Sequence, residues 1–141
     1  MIRTVNIICI HCTATPPTTK VSSILNYWRN SLGWRNPGYH RLIDASGRVH
    51  ILHPFERPSN GVKGYNSRSI HISYIGGVDA YGNAFDTRTE AQQDGLIEQI
   101  QEAQQWIIGH GLPPAEVIGH HDLNPFKACP SFNAKLEYSW L

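Results

Sequence analysis

The sequence has little net charge, no long apolar run and few cysteines, and each shortage removes a class of function. Twelve Lys and Arg residues against eleven Asp and Glu leave a formal charge of +1. That builds no positive field of the kind that gathers nucleic acid or anionic lipid, so neither is expected as a partner. No apolar stretch approaches the ~18 residues of a membrane span, so no membrane insertion is expected. The opening residues Met1-Ile2-Arg3-Thr4-Val5-Asn6-Ile7 lack a full hydrophobic region and a small-residue cleavage site. This pattern predicts synthesis in the cytoplasm without a signal peptide. Three cysteines, Cys9, Cys12 and Cys129, form an odd set without a disulfide-dense pattern. Such a set fits a reducing compartment and favours metal use over cross-linking. Repeats, low-complexity tracts and linkers are missing as well. The 141 residues suffice for one domain, burying roughly two-thirds of the surface of the unfolded chain, so residues 1–141 are read as a single domain.

What is present is an alternation of strands and helices. Val5 to Ile10 is apolar and mostly β-branched apart from Asn6, and predicts a central strand buried on both faces, with His11 at its end. Pro16-Pro17 breaks it, and Ser22 or Ser23 can cap a helix with Ile24, Leu25, Trp28 and Leu32 at helical spacing before Gly33. Tyr39 to Asp44 and Arg48 to Leu52 read as a hairpin around Ala45-Ser46-Gly47. Pro54 to Asn66 is too rich in Pro, Gly, Asn and Ser for a regular element and reads as a loop forming one wall of a cleft. Ser69 to Ile75 is the next strand, ending in Gly76-Gly77, and Asp79 to Asp86 is a loop. Thr89-Glu90-Ala91-Gln92 opens a helix whose apolar face is Leu96, Ile100, Ala103, Ile107 and Ile108. Glu116 to Gly119 is a short strand, and Phe132 to Trp140 holds a last short helix. The order β-α-β-β-β-α-β-α predicts an α/β domain with a central mixed sheet flanked by helices.

Chemistry concentrates in Gly119-His120-His121-Asp122-Leu123-Asn124-Pro125-Phe126-Lys127-Ala128-Cys129-Pro130. Imidazole and thiolate are ligands that zinc takes readily, and Lys127 between them can stabilise charge near a metal. A third ligand must come from elsewhere, and His11 at the end of the first strand is the best placed. His11, His120 and Cys129 would supply two nitrogens and one sulfur and leave a fourth tetrahedral position open, the pattern of a catalytic zinc site. Each histidine taken alone also fits a hydrogen-bonded or surface role, which is the reading for His40, His50, His53, His71 and His110. His121 competes with His120 as ligand, but neighbours on an extended chain point oppositely, so only one can face the metal. Asp122 is either a partner to a ligand or a loop cap. Cys12 lies on the strand face opposite Cys9 and His11 and reads as a small buried hydrophobe. The four tryptophans are core candidates, with Trp34 able to reach the cleft rim.

The motifs Ile10-His11-Cys12-Thr13-Ala14-Thr15, Gly38-Tyr39-His40, Lys63-Gly64-Tyr65-Asn66 with Ser69-Ile70, Gly76-Gly77-Val78-Asp79 and Lys127-Ala128-Cys129-Pro130-Ser131-Phe132 occur in this order from Val5 to Phe132. Together with His120-His121-Asp122 they resemble the type-2 family of zinc-dependent N-acetylmuramoyl-L-alanine amidases, above all its small phage members. The resemblance implies zinc on His11, His120 and Cys129, with Tyr39 and Lys127 as catalytic side chains. It also implies peptidoglycan as substrate, cut between N-acetylmuramic acid and the first L-alanine of the stem peptide. A phage or prophage lysis enzyme is implied, made in the cytoplasm and released through a lesion made by a separate lysis protein. A monomer is expected. One branch of the family draws a glutamate from the strand matching Ser69 to Ile75, where this chain has no carboxylate. Two further departures are Gly61, where relatives often carry a histidine, and Phe126, an apparent insertion that requires the loop to bulge before Cys129.

Two other classes compete. The same fold resembles peptidoglycan recognition domains, some of which bind without cutting; non-catalytic members typically lose the cysteine ligand, and Cys129 is present. A cysteine hydrolase built on Cys129 would need a thiolate free of metal.

Overall fold

A computed structural model of the chain describes residues 3–141, so the expectation about the first residues lies partly outside the described region at Met1 and Ile2. Among the described residues, five strands form one mixed sheet in the order β3-β2-β4-β1-β5. They are β1 (Ile7–Cys12), β2 (Arg41–Ile43), β3 (Val49–Ile51), β4 (Ser69–Tyr74) and β5 (Glu116–Gly119). Strand β1 runs parallel to both neighbours, with His11 opposite Ser73 and Ile10 opposite Gly119; only β3 is antiparallel. The first strand thus starts and ends two residues later than its apolar run suggests. Pairing with β4 continues through Cys12, which places His11 inside the strand rather than at its end.

Helix α2 (Glu90–Gly109) covers one face of the sheet. It opens on the expected capping box, in which Thr89 accepts from the Gln92 amide and the Gln92 side chain accepts from the Thr89 amide. Gln92 also donates to the carbonyls of Ile43 and Ile75, fastening the helix start to the ends of β2 and β4. Leu96, Ile100, Ala103 and Ile107 are fully buried against Ile8, Ile10, Ile70, Ile72 and Tyr74. Ile108, expected on the same face, is 51% exposed. It sits about 100° around the helix from Ile107 and falls outside the apolar stripe.

The other face carries α1 (Val21–Asn26), extended by a π-helical turn over Tyr27–Ser31. Its N-cap is Lys20 without a side-chain hydrogen bond, so the expected Ser22 or Ser23 cap is corrected. Ile24 and Trp28 pack on Leu42 and Ile75, whereas Leu25 and Leu32 remain exposed. Two short helices complete the chain, α3 (His120–Leu123) and α4 (Ala134–Glu137), the latter capped by Asn133. Trp140, grouped above with the core tryptophans, is 65% exposed beyond α4. Among the described residues, no helix is long and apolar enough to cross a membrane.

Candidate metal centre and active site

Strand β4 reads Ser-Ile-His-Ile-Ser-Tyr, and alternation sends Ile70, Ile72 and Tyr74 under α2. Ser69, His71 and Ser73 therefore share the opposite face with Cys9 and His11 of β1, all five buried. A buried polar face needs partners for every group. His11 meets that need toward His71, with Nε2 to Nδ1 at 2.8 Å, and His71 continues to Asn66 Oδ1 at 2.8 Å. The remaining ring nitrogen of His11, Nδ1, lies 3.8 Å from Cys129 Sγ.

His120 directly follows the C-terminal end of β5. Gly119 ends that strand and α3 begins directly at His120, so the histidine pair sits on a helical turn and not on the extended chain assumed above. On this turn the two rings point to different partners. His120 faces His11 with ring centroids 4.8 Å apart, while His121 turns to Asp122, Nε2 to Oδ1 at 3.6 Å. Asp122 acts as a cap, its Oδ2 accepting from the Gly119 amide at 2.8 Å. Gly119 is required by close approach as well, because a Cβ there would stand 2.7 Å from the Pro130 ring. Cys129 is brought back by two backbone contacts: its carbonyl accepts from the His121 amide and its Sγ accepts from the Cys12 amide at 3.1 Å. Phe126 is accommodated in a turn in which its amide and that of Lys127 both donate to Asn124, leaving the Phe126 ring 95% exposed.

The donor atoms of His11, His120 and Cys129 all lie within 4.8 Å of one another. Around a tetrahedral zinc, sulfur and nitrogen ligands stand roughly 3.6 Å apart, given Zn–S near 2.3 Å and Zn–N near 2.05 Å. The 3.8 Å between Cys129 Sγ and His11 Nδ1 fits that spacing. A second grouping, Cys9 with His11 and His71, is equally compact. Its two nitrogens at 2.8 Å are hydrogen-bonded and closer than the roughly 3.4 Å that two imidazoles on one zinc would keep. The His11, His120 and Cys129 set is the one that fits a metal.

Electrostatics support this. Burial, reinforced by neighbouring imidazoles, holds His11 and His71 well below the usual histidine range, and burial with Lys127 and His121 nearby brings His120 down to about 4. Neutral imidazoles are what a metal needs. Burial beside Cys12 pushes the Cys129 thiol up. Burial, with Cys129 close by, likewise raises the Tyr39 phenol, which stays protonated as a donor at neutral pH.

A cleft of about 790 Å³ reaches this cluster at His120 and is lined also by Lys127, Trp34 and the segment from Asn60 to Asn66. The expected loop wall and the reach of Trp34 to the rim are both observed. Lys127 is exposed on this wall. Tyr39 stands behind, its ring centroid 5.0 Å from that of His11 and its hydroxyl donating to the Cys12 carbonyl at 3.2 Å. The residue missed by sequence reasoning is His71, whose link to His11 depends on the β1–β4 register.

The fold and its histidine-cysteine cluster place the chain by class, and the comparisons agree: residues 2–132 match the N-acetylmuramoyl-L-alanine amidase family, to which the chain belongs. It is 36% identical over 129 residues to the endolysin of Klebsiella phage KP32, covering 91% of this chain and 82% of that protein. Among solved structures it is similar to the Ph2119 endolysin from Thermus scotoductus MAT2119 bacteriophage, with TM-score 0.70 and 25% identity over 92% of this chain and 79% of that one. It is also similar to the ectodomain complex of peptidoglycan recognition proteins LCa and LCx bound to tracheal cytotoxin, with TM-score 0.78 and 26% identity over 98% of this chain and 83% of that one.

Proposed function

We propose that this chain is a zinc-dependent N-acetylmuramoyl-L-alanine amidase acting as a phage endolysin. The observation that carries the reading is the convergence of His11, His120 and Cys129, with His120 lining a cleft that Lys127 also lines. These three side chains would hold zinc, which when bound polarises a carbonyl and makes water acidic enough to attack it near neutral pH. The cleft holds the muropeptide so that the lactyl carbonyl faces the cluster. Lys127, lining that cleft, offers its ammonium to the oxyanion that develops on the substrate. Tyr39, a protonated phenol beside His11, donates a hydrogen bond or passes a proton at the same centre. Peptidoglycan as ligand is supported by the similarity to phage endolysins and to recognition proteins whose structure holds tracheal cytotoxin.

The test is product analysis on purified peptidoglycan. Amide cleavage frees new N-terminal L-alanine and leaves glycan strands intact. A glycosidase would instead produce new reducing ends, and of the two carboxyl groups that common glycosidases need across the sugar bond, about 5 to 9.5 Å apart, the cleft lining supplies none. New reducing ends without free L-alanine would refute the amidase reading. Binding with no cleavage by zinc-loaded protein would replace it with a recognition module.

A further inference from the structure

A buried imidazole that ligates a metal through one nitrogen must carry its proton on the other, and something has to hold it that way. Here the determinant can be traced to a backbone amide. The Val62 N–H donates to Asn66 Oδ1 at 2.8 Å, which identifies that atom as the amide oxygen. The same oxygen lies 2.8 Å from His71 Nε2. An amide oxygen only accepts, so His71 Nε2 carries the hydrogen and, on a neutral ring, Nδ1 is left with a lone pair. That lone pair faces His11 Nε2 at 2.8 Å, so His11 is protonated there. Its Nδ1 lone pair is then directed toward Cys129.

The glycine at position 61 belongs to this arrangement. A Cβ on Gly61 would stand 2.3 Å from His71 Cγ and Nδ1, so the His71 ring fills the space a side chain there would enter. The departure from the family pattern at Gly61 and the histidine at position 71 are two halves of one packing solution.

We propose that His71, oriented by Asn66 and the Val62 amide, is a positioning residue that fixes His11 as the Nε2–H tautomer and aims its Nδ1 at the metal point. This rests on the zinc reading for its purpose, while the tautomer itself is a property of the metal-free protein. No proton moves in the process; the hydrogen bonds select one of two neutral forms.

The experiment has two arms on the full chain. In the first, long-range nitrogen–proton correlation spectra of metal-free, nitrogen-15-labelled protein report the tautomers. Both His11 and His71 are expected as Nε2–H forms, and His11 is expected to lose that preference in His71→Leu. In the second, zinc affinity is measured by competition with a chelator. His71→Leu, similar in size but without an acceptor, should weaken zinc by about 10- to 100-fold. His71→Asn places an amide oxygen near the position of Nδ1 and should restore affinity to within about threefold of the parent, on the same scale of ligand support. Gly61→Ala should weaken zinc by displacing His71 although every relay member remains. Retained secondary structure by circular dichroism identifies the variants that fold. An Nδ1–H His11 in the parent, or parent-like affinity in a folded His71→Leu, overturns the proposal. A parent that binds no zinc overturns the metal reading instead, and the tautomer arm still decides the relay.

Discussion

The two faces of the central sheet divide the work of the molecule. Beneath α2, β1 and β4 present Ile8, Ile10, Ile70, Ile72 and Tyr74 to Leu96, Ile100, Ala103 and Ile107, a continuous apolar contact that excludes water. On the opposite face the same strands present Cys9, His11, Ser69, His71 and Ser73, equally buried, with His11 and His71 hydrogen-bonded in a chain that continues to Asn66. Stability by apolar burial and chemistry by satisfied polar groups are thus separated by a single strand thickness. The site face can hold its unusual groups because the other face keeps the strands in register.

Substitutions on the two faces should accordingly give different signatures. Cys129→Ala should lose zinc and activity together while the apolar face keeps the fold, measured by elemental analysis and turnover. Ile100→Ala should cost about 2–5 kcal/mol in denaturant unfolding, by lost burial and a residual cavity. Zinc per folded chain should be unchanged in that variant, and loss of zinc from its folded fraction would show that the faces are not separable. Lys127→Ala and Tyr39→Phe should retain zinc and the fold while turnover falls about 10²-fold or more, as for removal of an oxyanion donor. Near-normal rates in both would remove these residues from the mechanism.

A further effect concerns acid. His120 is held down to about 4 and His40 to about 3, in both cases chiefly by burial, against 6.5 for a free imidazole. A depressed base binds fewer protons folded than unfolded, so stability is complete above about 6.5 and declines as pH falls toward 4 and 3. Melting of zinc-free protein across that range should drop gradually from pH 6.5 downward, with the decline reduced in His120→Gln. A flat profile between 6.5 and 4 would mean that the site face is solvated and not buried.

Much of this division is legible in the sequence, because period-two alternation in β4 and period-3.6 spacing in α2 are local signals. The ligand candidates were legible too, since His120 and Cys129 are close in sequence and His11 directly follows the short apolar run of the first strand. What escaped depends on pairing. His71 reads as an ordinary strand histidine until the β1–β4 register sets it beside His11, sixty residues away. Gly61 reads as a missing histidine until the His71 ring is seen to fill its space. The start of α3 at His120 was obscured by its single turn, although Gly119 followed by Asp122 three residues on is the local cap signal. Lys20 heads α1 without a side-chain cap, which no serine pattern would reveal.

The central claim is that two imidazoles and one thiolate from β1, α3 and the returning loop hold one zinc. X-ray absorption at the zinc edge on the purified full chain tests it directly. The account predicts one zinc per chain with one sulfur at about 2.3 Å and nitrogen ligands at about 2.0–2.1 Å, with the sulfur contribution lost in Cys129→Ser. A spectrum without sulfur in the parent protein, or a chain that retains no zinc after purification without chelator, would contradict it.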